Sequence, residues 1–119
     1  MQSKLFRITL NSAQPDVLLR FYSILGFQFS QKNVDKGSRA WHGQLGEIGL
    51  EVYSIKETFS NQSPGVQMSF HVKGLEALVD QFRALQAQIM IEPLDTKTGQ
   101  MSIIIDPDGR SVELIQDFT

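Results

Sequence analysis

Apolar and polar positions alternate with a period of two at the start of the chain, shift to helical spacing, and return to strand-like alternation. This sequence of periods then occurs a second time. Over Lys4 to Leu10, Phe6, Ile8 and Leu10 alternate with Leu5, Arg7 and Thr9, which predicts a strand with one apolar face. Asn11-Ser12 leads to Pro15 and Asp16. Val17, Leu18, Phe21, Ile24 and Leu25 then recur at helical spacing, and Gly26 stands where a helix would stop. A strand over Phe27 to Ser30, a polar turn over Gln31 to Ser38 and a strand over Arg39 to Leu45 make a hairpin. From Ile48 to Ser54, Ile48, Leu50 and Val52 share one face, with Gly49, Glu51 and Tyr53 on the other.

The polar, turn-rich stretch Thr58 to Gly65 reads as a linker. After it, Val66, Met68, Phe70 and Val72 alternate with Gln67, Ser69 and His71. Leu75, Leu78, Val79, Phe82 and Leu85 mark an amphipathic helix. Ile89 to Ile91, Met101 to Ile105 and Ser111 to Ile115 are short strands, the last two joined by Asp106-Pro107-Asp108-Gly109. Proline at the second turn position and glycine at the fourth make this a tight hairpin, so turn chemistry accounts for both aspartates. Overlaid, Arg7 falls against Gln67, Leu10 against Phe70, Phe21 against Phe82 and Glu51 against Glu113. The predicted fold class is α+β: two βαβββ modules forming a curved mixed sheet with helices outside. A single domain over 1–119 is expected, with module 1 at about 1–57, the linker at about 58–65 and module 2 at about 66–119. If each apolar face packs on its own helix, Arg7, Thr9, Glu51, Tyr53, Gln67, Ser69, His71, Ser111 and Glu113 line a cleft.

Composition narrows the chemistry. The chain has 119 residues, 41% of them apolar and 20% charged, an ordinary balance for one globular domain. The absence of cysteine removes disulfides, thiolate nucleophiles and zinc-thiolate sites, and favours the cytoplasm. No apolar run is long enough to span a bilayer, and the N-terminal stretch lacks the apolar core and cleavage site of a signal peptide. A soluble protein with no membrane partner is expected. With a formal charge of −2 and basic residues scattered singly, nucleic acid is excluded as an expected partner.

The segments LLRFYSILGF, GLEVY and IIIDPDGRSVELIQ resemble the vicinal oxygen chelate superfamily, which includes glyoxalase I, bleomycin-resistance proteins and extradiol dioxygenases. The resemblance spans nearly the whole chain and implies the paired-module fold. It also implies a divalent metal held by four side chains, commonly two histidines and two glutamates, one on the first and one on the last strand of each module. Glu51 and Glu113 match the glutamate positions. At the histidine positions stand Arg7 and Gln67, and a guanidinium has no lone pair to give a metal. No resident cofactor is therefore expected, a divalent metal remains possible, and Glu51 and Glu113 are its candidate ligands.

Arg7 can pair with Glu51 or Glu113 and so replace the ion, or bind an anionic group on a ligand. The expected ligand-binding set is Arg7, Trp41, Glu51, Tyr53, Gln67, His71 and Glu113, with no catalytic residue assigned. Several have a structural alternative: salt bridges for the carboxylates, a structural hydrogen bond for His71, packing against a neighbouring subunit for Trp41 and ordinary strand packing for Tyr53; a structural hydrogen bond is likewise the reading for His42. Strand alternation sends one of Trp41 and His42 into the cleft, and Trp41 is expected there as an aromatic wall. The resulting expectation is a protein of the bleomycin-resistance type that binds a small molecule without the usual metal, in a homodimer. The alternative is a metal-dependent lyase, isomerase or dioxygenase with altered ligands.

Overall fold

The computed structural model describes residues 2–32, 39–56 and 66–118. The predicted linker, 58–65, lies outside the described residues, as does most of the turn predicted after Gln31. The chain divides into two compact units, Met1–Asn61 and Gln62–Thr119.

In the first unit the order is β1 (Arg7–Ser12), α1 (Pro15–Ser23), β2 (Gln28–Lys32), β3 (Ala40–Leu45) and β4 (Ile48–Ser54). The strands form a mixed sheet in the order β1-β4-β3-β2, with β1 parallel to β4 and the other neighbours antiparallel. The second unit repeats the plan with β5 (Met68–His71), α2 (Leu75–Ala84), β6 (Gln88–Asp95), β7 (Gly99–Ile105) and β8 (Ser111–Asp117), ordered β5-β8-β7-β6. This is the predicted α+β, twice-repeated βαβββ arrangement. Each parallel pair is joined by a helix followed by two further strands, because two parallel neighbours cannot be linked by a tight turn.

Each helix covers one face of its own sheet. Leu18, Phe21 and Tyr22 of α1 and Leu50 and Val52 of β4 are at most 1% exposed, as are Leu75, Val79 and Phe82 of α2 and Ile104, Val112 and Leu114 in its sheet. Burying a side chain of this size contributes about 1.5–3 kcal/mol, so these stripes fix which face of each strand turns inward. Phe21 meets Tyr22 edge-on at 5.0 Å between ring centroids. At the C-terminal end of α1, Gly26 takes φ +112° and its N–H donates to the Ser23 carbonyl at 3.1 Å, which stops the helix and turns the chain into β2.

Several boundaries moved. β1 begins at Arg7 rather than Lys4 and runs on to Ser12, because its extent is set by pairing with β4, from Arg7 beside Gly49 to Ser12 beside Ser54. Gln31 and Lys32, expected in a turn, belong to β2 and pair with Trp41 and Ala40. β6 is longer than the alternation suggests and passes through Pro93, which it tolerates as an edge strand with register shifts on either side of Ile91. The Asp106–Arg110 turn is structural, as expected. Gly109 has φ +96°, and Asp106 Oδ1 accepts hydrogen bonds from the backbone N–H groups of Asp108 and Arg110 at 2.9 and 3.0 Å. Buried Arg110 joins both aspartates from Nη1 at 3.2 Å, a contact the motif alone did not reveal.

Candidate functional site

The alternation of β4 puts Glu51 on the sheet face opposite α1, yet its side chain is only 5% exposed. What buries it is a ring of polar side chains supplied by the other three strands. The register sets Thr9 of β1 and His42 of β3 beside Glu51. It also sets Ser30 beside His42, so Lys32, two residues on, reaches the same face. Lys32 Nζ donates to Glu51 Oε1 at 2.9 Å and to the Tyr53 hydroxyl at 3.4 Å, and lies 5.6 Å from the Tyr53 ring centroid. Arg7 Nη1 donates to Glu51 Oε2 at 3.4 Å, and His42 Nδ1 stands 3.3 Å from the same oxygen. Gly49 makes room for the imidazole, since a Cβ there would come within 2.7 Å of His42 Cε1.

The electrostatics follow from the geometry. Burial pushes the Glu51 carboxyl up. Hydrogen bonds from Lys32 and His42, with the charges of Lys32 and Arg7, outweigh that and hold it below its ordinary value. The Lys32 ammonium is in turn held above its ordinary value, chiefly by the hydrogen bond to Glu51. Among the described residues, two fixed cations therefore face one carboxylate, a surplus of one positive charge, with Arg7 still 45% exposed. Both Glu51 oxygens already accept from protein donors, and Lys32 and Arg7 would repel an incoming divalent cation. The donor set of this unit does not suit a metal, and among the described residues no three His, Cys, Asp or Glu side chains stand together as a metal cluster.

The expectation for Trp41 is overturned. It pairs with Val52, so it lies on the helix side of the sheet, while His42 takes the place beside Glu51. Strand alternation allows either phase, and the register that buries Leu50 and Val52 under α1 selects this one. Arg7, Glu51 and Tyr53 are brought together as expected. Lys32, which the polar pattern places in a turn, makes the shortest contact of the group. Its signal was the alternating Phe29-Ser30-Gln31-Lys32 pattern continuing into the polar stretch.

In the second unit, Glu113 of β8 shares a face with Ser69 and His71 of β5. Ser69 Oγ donates to Glu113 Oε1 at 2.8 Å. His71 is exposed and stands 3.8 Å from Asp117, beside a shallow depression of 530 Å³ that also borders Lys73. Gln67 is exposed just before β5. Across β7, the residues opposite Glu113 and its neighbours on that face are Met101, Ile103 and Ile105, so this face is far more apolar than its counterpart in the first unit.

The family model for the lactoylglutathione lyase-like N-terminal family matches residues 5–46. None of the curated proteins compared with the chain matches it. Among solved structures, a glyoxalase/bleomycin resistance protein/dioxygenase domain from Frankia sp. EAN1pec superposes with a TM-score of 0.78 at 18% identity, covering 99% of this chain and 100% of that one. The fosfomycin resistance protein FosX from Listeria monocytogenes gives 0.77 at 16% identity, with 99% and 94% covered. TnmS3, an antibiotic-binding protein from Streptomyces sp. CB03234, gives 0.70 at 13% identity, with 98% of each chain covered. At such identities the likeness is one of fold.

Proposed function

From the premise that the chain has the glyoxalase/bleomycin-resistance fold of the vicinal oxygen chelate superfamily, we propose that it binds a small anionic molecule without a divalent metal. The carrying observation is the Glu51 centre, where Lys32 and Arg7 already neutralise the carboxylate and leave one positive charge over. Arg7, more exposed than Lys32, is the cation best placed to meet a ligand carboxylate or phosphonate, with Thr9 and Asn11 beside it on the same strand face. Tyr53 and His42 orient and hold Lys32 and Glu51. That similar folds include an antibiotic-binding protein and a fosfomycin resistance protein supports small-molecule binding as the use of this fold. On this reading the chain acts as a cytoplasmic homodimer.

The metal-dependent alternative requires Glu51 to leave Lys32, and no contact among the described residues of the first unit favours that. A thermal-shift panel of small carboxylates and phosphonates, run against matched neutral amides, tests the proposal. A binding anion raises the melting temperature saturably, and Arg7→Gln abolishes the rise. If no anion in the panel stabilises the protein, or if Arg7→Gln leaves the response intact, the proposal fails.

A further inference from the structure

The other face of the first sheet carries a second feature. α1 lies against β1, β4 and β2, and Trp41 on β3 is left half-buried at the border of an open hollow of 560 Å³. The floor of the hollow is aromatic. Phe29 stacks on Phe27 with ring centroids 5.9 Å apart and planes inclined by 23°. Phe29 can lie flat over β3 because its cross-strand partner is Gly43, where a Cβ would come within 2.8 Å of the Phe29 ring. A side chain there would force the ring to shift.

The border is cationic. Arg20, in the last turn of α1, lines the hollow, and its side chain makes no hydrogen bond or ion pair among the described residues. The Arg39 guanidinium lies 5.3 Å from the Trp41 ring centroid. Among the described residues, no acidic side chain lines the hollow. The hollow is open to solvent, so a ligand of one or two rings would lie against its floor rather than be enclosed. Flat aromatic surface calls for a planar apolar body, and an exposed guanidinium at its edge calls for a carboxylate or sulfonate.

We propose that this hollow, formed by Arg20, Phe27, Phe29 and Trp41, is a second ligand site that takes a planar aromatic anion. It lies across the sheet from the Glu51 centre and stands independently of the function proposed above. The chain's only tryptophan reports on it directly. In a titration of ¹⁵N-labelled protein with 2-naphthoate, the Trp41 indole N–H resonance moves saturably. The neutral isostere 2-naphthamide binds about tenfold more weakly, the factor expected from losing one charge-assisted hydrogen bond. Arg20→Gln, at an exposed position, weakens 2-naphthoate by a similar factor, and Arg7→Gln does not. Equal binding of the acid and the amide would overturn the proposal, as would unchanged affinity in Arg20→Gln. So would resonance shifts centred on Thr9 and His42, or a Trp41 shift that follows protein concentration without ligand and so reports a second copy in the hollow.

Discussion

Replacing Glu51 with glutamine tests whether the polar cluster on the first sheet is a coupled unit or a set of surface contacts. Glutamine keeps the shape and one acceptor for Lys32, but it removes the charge and turns an amide donor toward Arg7 and His42. Removing one member of a fully buried ion pair costs about 3–5 kcal/mol, and losing a charged hydrogen bond costs about 1.5–3 kcal/mol. Glu51 is 5% exposed but Lys32 and Arg7 are 30% and 45% exposed and can regain water, so the lower range applies. The expected loss in Glu51→Gln is about 2 kcal/mol, read from urea unfolding at pH 7 with an unchanged m-value. A double-mutant cycle with Lys32→Met should return more than half of that as coupling. The pH dependence has a defined sign. Because the folded-state Glu51 carboxyl lies below its unfolded value, its contribution is complete above about pH 4.3 and is lost as pH falls through the folded value. The gap between wild type and Glu51→Gln therefore narrows on acidification within that window. A loss below about 0.5 kcal/mol at pH 7, the scale of an exposed pair, refutes the coupled-cluster account.

Other sites yield sharper, smaller tests. Gln116 Oε1 accepts from the Leu75 N–H at 2.7 Å and so caps α2 from β8; Gln116→Ala should cost about 1 kcal/mol in urea unfolding. A Cβ at Gly99 would overlap the Gln116 carbonyl oxygen across the β7–β8 ladder. Gly99→Ala should therefore lose about 1–3 kcal/mol and show faster amide exchange in β8. Arg83 grips Glu92 through two hydrogen bonds at 2.7 and 3.0 Å in an exposed setting. Glu92→Gln should lower the urea midpoint only slightly at low salt, and the difference should vanish in 1 M NaCl.

The course of the chain was legible because its two periods are carried by residues with one strong preference. Leu18, Phe21, Leu50 and Val52 can only face the core, and they fix the phase of α1 and β4. Strand ends were less legible, since β1 and β6 stop where their partners stop, and partners are distant in sequence. Trp41 and His42 show the same limit within a site. Alternation says that they face opposite ways, and only the pairing with Glu51 and Val52 decides which. Arg7 and Glu51 could be paired by spacing and motif, whereas Lys32 enters through a hairpin whose length the polar sequence around it concealed.

The central claim is that fixed cations occupy the electrostatic role a metal would have beside Glu51. Elemental analysis of protein purified without chelator, followed by calorimetric titration with Mn²⁺, Fe²⁺, Ni²⁺ and Zn²⁺, tests it most directly. The account predicts no stoichiometric metal and no saturable binding at pH 7, in wild type and in Glu51→Gln alike. One ion bound per chain, with the binding lost in Glu51→Gln, would contradict it.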